Sequence, residues 1–269
     1  MQVVTLFYIF TFLALVTFNN ASAADKKLLF CYEDKEIAPM FLGVGQEIPI
    51  QRPGASADVL RLLDDAVDGV DIEFVRKPWR RCLKDLESNK VNAVIASFRK
   101  GRERIAVYPM NENAKPNTQF AISKFGSCLL GRDKFRSQWQ LRDELNSKIF
   151  TIAVPSGYGL GTTLDKEPLF VHETVSKKSA FELLNKGVVD SSIDICQVDK
   201  TKTSSYPHND TDVAAIYPPY EFTFGYLVFS HQFYENHPVL SHKMWQWISE
   251  FDTAPIYINY LNSAKQPEN

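Results

Sequence analysis

The chain is short of the residues from which metal, hydrolytic and phosphate-binding sites are built. Its five histidines, His172, His208, His231, His237 and His242, include no pair at i, i+4, the spacing that sets two imidazoles on one helical face for a metal ion. The four cysteines, Cys31, Cys82, Cys128 and Cys196, have no metal-ligand spacing either. Val154-Pro155-Ser156-Gly157-Tyr158 lacks the first glycine of Gly-x-Ser-x-Gly, which argues against a serine hydrolase. Gly157-Tyr158-Gly159-Leu160-Gly161 lacks the lysine and the spacing of a phosphate-cradling loop. An excess of one charge is missing as well. Thirty basic residues face 32 acidic ones for a net charge of −2, and without a long basic run neither nucleic acid nor an anionic membrane is an expected partner. No internal repeat or low-complexity tract is present, and no cofactor is expected.

Residues 1–23 carry no charge, run almost unbroken in apolar residues from Val3 to Phe18, and end in Ala21-Ser22-Ala23. This reads as a secretory signal peptide cleaved after Ala23, with a core too short for a membrane span, which takes about 20 apolar residues. No cysteine stands at the cleavage site for a lipid anchor. The expected product is a freely soluble, exported chain without a membrane anchor. Removing 23 residues from 269 leaves 246, enough for one large domain or two lobes.

Hydrophobic spacing then alternates between two periods. Lys27–Tyr32 reads as a strand. A Gly- and Pro-rich segment from Gly43 to Gly54 follows, and Val59, Leu60, Leu62, Leu63 and Val67 recur at helical spacing with Ser56 or Asp58 available as a cap. Asp71–Arg76 is a second strand, Pro78–Leu86 a second helix with proline in its first turn, and Val91–Phe98 a third strand. Farther on, Ser127–Leu130, Ile149–Val154, Ile193–Val198 and Thr223–Ser230 read as strands. Ser179–Asn185, Leu240–Phe251 and Ile256–Ala264 read as helices, with loops from Leu164 onward and over Lys200–Asp212.

Strand, helix, strand, helix, strand implies right-handed crossovers and parallel pairing, so the chain is expected to be α/β with two such units. In these sheets ligands bind beyond the carboxyl ends of the strands. The segment after Tyr32, the Lys77-Pro78-Trp79 corner and the stretch from Ser97 to Arg104 should therefore meet at one edge. In that stretch the apolar run Ala93–Ala96 delivers a small hydroxyl residue and then Arg99, Arg102 and Arg104. A guanidinium presents a rigid fork of donors that matches a carboxylate, so any of the three is a candidate for an anionic ligand group. In an oxidising compartment the four cysteines allow two bridges in three connectivities. Cys31–Cys82 with Cys128–Cys196 keeps each bridge inside one unit, and four buried free thiols are the alternative.

Leu28-Leu29-Phe30 with Ile37-Ala38-Pro39, the helix entry from Gly54 to Leu63, Lys77-Pro78-Trp79, Asn92 to Arg104 and Val107-Tyr108-Pro109 together resemble the extracellular solute-binding proteins of family 3. These are the polar-amino-acid-binding proteins of bacterial ABC importers, which share their fold with the ligand cores of ionotropic glutamate receptors. The resemblance covers the exported chain, strongly over 28–110 and weakly beyond. It implies a two-lobed periplasmic-binding-protein fold of type II. Lobe 1 would comprise 24–112 and 213–269 and lobe 2 would comprise 113–212, with hinge strands near 113–119 and 206–214. It further implies a periplasmic monomer, not an enzyme, that closes on a small polar carboxylate such as an amino acid and serves an ABC permease.

Carried over by motif, the family's carboxylate-binding arginine is Arg104, and the Thr of its Thr-x-x-Arg is Gly101 here. Arg99 stands where Ser or Thr is usual, which adds a second cation. Ser97 matches a small hydroxyl position that contacts ligand, and Trp79 and Tyr32 stand near positions that wall the cleft. Thr151-Ile152-Ala153-Val154-Pro155-Ser156-Gly157 resembles the second-lobe motif Val-Gly-Val-x-x-Gly-Thr, whose backbone N–H groups complete the site at a helix N-terminus. This brings Gly157 and Tyr158 to the ligand. The acidic residue that receives an α-ammonium falls by direct counting on Ile195, with Asp194 one residue away. Two other readings keep the fold: a periplasmic sensor or adaptor without an importer, and a cyclohexadienyl-dehydratase-like enzyme with Glu33, Asp34 or Asp194 as the proton donor.

Overall fold

The structure is a computed structural model and describes residues 25–141, 149–155, 164, 167, 169–204 and 212–263. The expected signal peptide lies outside them. The strands are β1 (Lys26–Glu33), β2 (Val70–Lys77), β3 (Ala93–Ala96), β4 (Ala121–Gly131), β5 (Phe150–Pro155), β6 (Leu169–Thr174), β7 (Ser191–Val198), the short β8 (Thr201–Lys202) and β9 (Ala214–Ala215), and β10 (Glu221–Phe229). The helices are α1 (Ala55–Ala66), α2 (Trp79–Glu87), α3 (Asp133–Gln140), α4 (Lys177–Asn185), α5 (His231–Asn236), α6 (Pro238–Glu250) and α7 (Ala254–Ser263).

One sheet runs through the molecule in the order β2-β1-β3-β10-β4-β7-β5-β6. At each end stands a parallel trio, β2-β1-β3 and β6-β5-β7. Each trio is built from strand, connection, strand, helix, strand, and each places its first strand in the middle. Between them β10 and β4 pair antiparallel with each other, and each also pairs antiparallel with one trio. The fold is thus α/β with two matching halves.

The chain passes between the halves through β4 and β10. Residues Tyr226–Phe229 of β10 pair with β3, Glu221–Tyr226 pair with β4, and β4 continues beside β7. At 11 residues and 3.4 Å per residue, β4 reaches about 37 Å, long enough to serve both sheets. Residues 110–116 fold back on themselves, with Met110 bridged to Pro116 and Asn111 N–H donating to Lys115 O at 2.8 Å. Much of the expected hinge segment 206–214 lies outside the described residues.

Side-chain alternation splits the first half into two cores. Leu28, Phe30 and Tyr32 of β1 face α1, α6 and α7, packing with Leu60, Leu63, Trp245 and Tyr257, while Cys31 faces α2 with Cys82 and Leu86. In the second half Phe150, Ile152 and Val154 pack on Phe135 and Trp139 of α3, and Ala153 lies against Ala180, Phe181 and Leu184 of α4. Both cysteine pairs form disulfides, Cys31–Cys82 and Cys128–Cys196.

Several elements differ from the sequence reading: α5, β8 and β9 have no counterpart in it, β4 starts at Ala121 and not at Ser127, and α1, β6 and α3 depart from it as well. Helix α1 has Gly54 as its N-cap without a side-chain cap, because the expected caps are used elsewhere: Ser56 Oγ bonds Tyr257 OH at 2.9 Å and Asp58 accepts from Tyr260 OH at 2.5 Å. Strand β6 was expected as loop, since Phe170 to Glu173 are exposed and carry no inward-outward alternation. Helix α3 has too few apolar residues to announce itself. Gly54 is also where one backbone conformation is obligatory. Its φ is +116°, and a Cβ there would lie 2.3 Å from Met40 O and 2.5 Å from Phe41 Cα. Gly54→Ala is therefore expected to cost about 2 to 3 kcal/mol; a urea midpoint equal to the parent's would refute the steric account.

Candidate functional site

The carboxyl ends of the first parallel trio meet as the strand pattern requires. Glu33 ends β1 in register with Lys77 at the end of β2. Phe30 is in register with Ala93 of β3, so the parallel run brings Glu33 level with Ala96, just before Ser97. The Asn92 side chain fixes that register by accepting from Leu29 N–H at 2.8 Å. Three segments distant in sequence thus share one edge: Glu33–Asp34, Lys77–Trp79 and Ser97–Arg104.

Trp79 opens α2 there, half-buried, and its backbone N–H donates to Glu33 Oε1 at 3.2 Å. A carboxylate at the first turn suits the unsatisfied N–H groups and positive end of a helix. Burial first, and then the neighbouring Asp34, push the Glu33 carboxyl above the usual range against the opposing pull of the Trp79 N–H. The disulfide from Cys31 to Cys82 ties α2 to β1 directly beneath this corner.

Asp85, nearly two turns farther along α2, is buried and accepts from Lys77 Nζ at 2.7 Å, with Arg81 Nε 3.0 Å from its other oxygen. The Lys77 hydrogen bond, then the charges of Lys77 and Arg81, hold its carboxyl below the usual range against the opposing pull of burial. A carboxyl whose folded pKa is depressed contributes stability that is complete above its unfolded pKa, near 3.9, and is lost as pH falls through the folded value. Asp85→Asn is expected to cost about 1 to 2 kcal/mol at pH 7, moderated because Lys77 and Arg81 reach water. The gap to the parent should narrow below about pH 4. An equal gap at pH 3 and pH 7 in urea unfolding would count against the ion pair.

Beyond β3 the backbone turns through Gly101, which is left-handed with φ +91°, into a short 3-10 turn over Arg102–Arg104. That conformation accounts for glycine where the resembled family has threonine, because a β-branched residue at positive φ is strained. Glu103 accepts from Gly101 N–H at 2.7 Å and closes the turn. Arg104 is exposed, with a single local side-chain bond from Nε to Gly101 O at 3.2 Å, and the exposed Arg99 side chain makes no hydrogen bond or ion pair to the described residues. Among the described residues, the Nη ends of both guanidiniums are unpaired. Arg102 behaves differently: it donates to Ser97 O at 2.7 Å, and its guanidinium lies 6.0 Å above the Trp79 ring. Tyr108 OH donates to the same Ser97 carbonyl at 3.1 Å and its ring meets Phe98 edge-on. Burial raises the Tyr108 phenol pKa while the Arg102 charge pulls it the other way. The Ser97 hydroxyl makes no hydrogen bond to the described residues and is half-exposed.

Tyr32 is not part of this edge. It is 1% exposed, stacked on Phe41 at 4.5 Å and covered by Arg76 at 5.1 Å, so it belongs to the core. The cause is strand alternation: Tyr32 points to the same face as Phe30, and the residue that reaches the edge is its neighbour Glu33. Arg76, itself buried, fixes this corner by donating to the carbonyls of Glu33, Gly43 and Glu47.

In the second half, the register of β5 with β6 and β7 sets Pro155 level with Thr174 and Asp194. Asp194 is buried and already engaged: Lys177 Nζ lies 3.4 Å from one oxygen and Ser204 Oγ donates to the other at 3.2 Å. The expected partner of a ligand ammonium is thus neutralised from within the protein. Lys177 was invisible as its partner because β6 was not recognised. Gly157 and Tyr158 lie outside the described residues. No group of His, Cys, Asp or Glu that could hold a metal occurs among the described residues.

Solved structures match the chain along nearly its whole length. The probable amino-acid ABC transporter extracellular-binding protein ytmK of Bacillus subtilis aligns with TM-score 0.62 at 12% identity, over 88% of this chain and 98% of its own. The chain has the type II periplasmic-binding-protein fold. An ancestral cationic amino acid solute binding protein superposes on the same fold with TM-score 0.59 at 14% identity, covering 87% of this chain and 95% of that one. AbpA of Streptococcus pneumoniae, an amino acid ABC transporter substrate-binding protein bound to L-arginine, gives TM-score 0.56 at 11% identity over 90% and 97%. At these identities the likeness is one of fold. No family model and no curated sequence matches. In this fold the two parallel trios are the cores of two lobes, and β4 and β10 are the strands that join them.

Proposed function

We propose that the protein is an exported solute-binding protein that closes its two lobes on a small polar carboxylate of amino-acid type for ABC-dependent uptake. The observation that carries this reading is the edge where Glu33, Trp79 and the Ser97–Arg104 turn meet, with two exposed arginine side chains and a serine hydroxyl that has no partner among the described residues. Arg104 takes the ligand carboxylate on lobe 1, Ser97 supports it, Trp79 walls it, and Gly157 and Tyr158, carried over from the resembled motif, complete the site from lobe 2. Lobe 1 comprises the segments before β4 and after β10, and lobe 2 the chain between them. The lobes hinge in the middle of those two strands, and ligand favours closure because it binds the closed state better. The chain acts as a periplasmic monomer released after Ala23, with an ABC permease as its partner.

Thermal-shift measurements over amino acids and carboxylic acids, each beside its amide or ester, test this. A bound carboxylate at a hundredfold excess over Kd should raise the midpoint by roughly 5 to 10 °C, and its amide should not. A panel in which no carboxylate shifts the midpoint would end the reading. The protein is taken as a binder because two of the three candidate proton donors serve internal contacts: Glu33 with Trp79 N–H, and Asp194 with Lys177 and Ser204. Incubation with prephenate or arogenate is expected to give no turnover, and product formation would reinstate the dehydratase reading.

A further inference from the structure

Charge at the lobe 1 edge is unbalanced in a way that selects among carboxylates. From Ser97 to Arg104 the sequence places four cations, Arg99, Lys100, Arg102 and Arg104, against one acid, Glu103. That acid is used by the Gly101 N–H, Glu33 accepts from Trp79 N–H, Asp85 is held by Lys77 and Arg81, and Asp34 is the one further acid at this edge. Across the sheet, Asp194 is held by Lys177 and Ser204. The four cations thus outnumber the acids left open to a ligand ammonium or guanidinium, of which Asp34 is the one on the first edge. The aromatic wall that could otherwise receive a cation is already covered. Arg102 lies over Trp79 and is held in place by the Ser97 carbonyl, so the ring face offered for a cation–π contact carries the protein's own guanidinium. An incoming cation would meet that charge, and like charges brought together at a site oppose binding.

From this we infer that the site takes a dianionic ligand, an acidic dicarboxylate or acidic amino acid, and rejects cationic amino acids. The inference rests on the solute-binding reading above and adds the second anionic group. Arg104 holds one carboxylate and Arg99, whose fork has no partner among the described residues, holds the other. Arg102 is a positioning residue: it keeps the Ser97 turn and the Trp79 plate together and closes the plate to cations.

The test is calorimetry on the exported chain with succinate, glutarate, L-glutamate, L-aspartate, L-glutamine, L-arginine and L-lysine, repeated on Arg99→Gln and Arg102→Gln. At least one dicarboxylate should bind tenfold or more tightly than L-glutamine, and L-arginine and L-lysine should not bind. Arg99→Gln should lower dicarboxylate affinity at least tenfold while leaving L-glutamine affinity unchanged. Because the Arg99 side chain is exposed and makes no bond to the described residues, the variant's unliganded midpoint should stay put. Arg102→Gln should narrow the preference for dicarboxylates over L-arginine. Tight binding of L-arginine or L-glutamine with no dicarboxylate binding would overturn this inference and leave the carboxylate-binding reading intact. Dicarboxylate binding that Arg99→Gln does not change would remove the role given to Arg99. Silence across the whole panel would overturn both.

Discussion

Removing either disulfide is expected to lower the unfolding free energy by about 4 kcal/mol. The bridges close sequence separations of 51 and 68 residues, and in the chain-entropy account loops of that size restrict the unfolded ensemble by nearly equal amounts. Their consequences for binding should differ. Cys31–Cys82 holds α2 to β1 below the corner where Trp79 N–H meets the Glu33 carboxylate, so its loss lets the helix entry shift and should weaken ligand binding as well. Cys128–Cys196 joins the neighbouring strands β4 and β7, away from the lobe 1 edge, and should act on stability alone. Urea unfolding of the paired serine variants, Cys31→Ser with Cys82→Ser and Cys128→Ser with Cys196→Ser, measures both terms. A loss below 1 kcal/mol in either pair would reject the entropic account.

Arg104→Ala is expected to weaken binding of the ligand found by the carboxylate panel by about 2 to 5 kcal/mol, a factor of roughly thirty to several thousand. The size comes from desolvation. In a closed cleft the ligand carboxylate has left water, and removing the guanidinium leaves that charge buried without a partner. The same substitution should leave the unliganded protein as stable as the parent, because the exposed side chain makes only a local bond to Gly101 O. Arg104→Lys keeps the charge but not the two-pronged fork and should fall between the two. Unchanged calorimetric affinity in Arg104→Ala would move the anchor to another residue.

Much of the first half was legible because its periods are strong and its connections short. Val59, Leu60 and Leu63 mark α1, the apolar run at Ala93–Ala96 marks β3, and three parallel strands can meet only with their carboxyl ends at one edge. The second half was less legible. Strand β6 is exposed along most of its length and so carries no alternation, and α3 buries only Phe135 and Trp139. Which strands join the halves could not be counted from the motif, since it depends on how far β4 and β10 run past their partners.

By itself, the sequence determined the α/β alternation, the two units, the candidate cysteine pairing and the arrival of Ser97 and three arginines at a strand end. These depend on periodicity and on residue type. Only the tertiary structure decided which side chains are available there. Strand alternation sends Tyr32 into the core and Glu33 to the edge. A contact with Trp79, far away in sequence, commits Arg102 and leaves the Nη ends of Arg99 and Arg104 unpaired among the described residues, and a lysine after the unrecognised β6 neutralises Asp194. The reason is that a charged group is free or committed according to its partners, and the partners that matter here are brought close by the sheet and not by the chain.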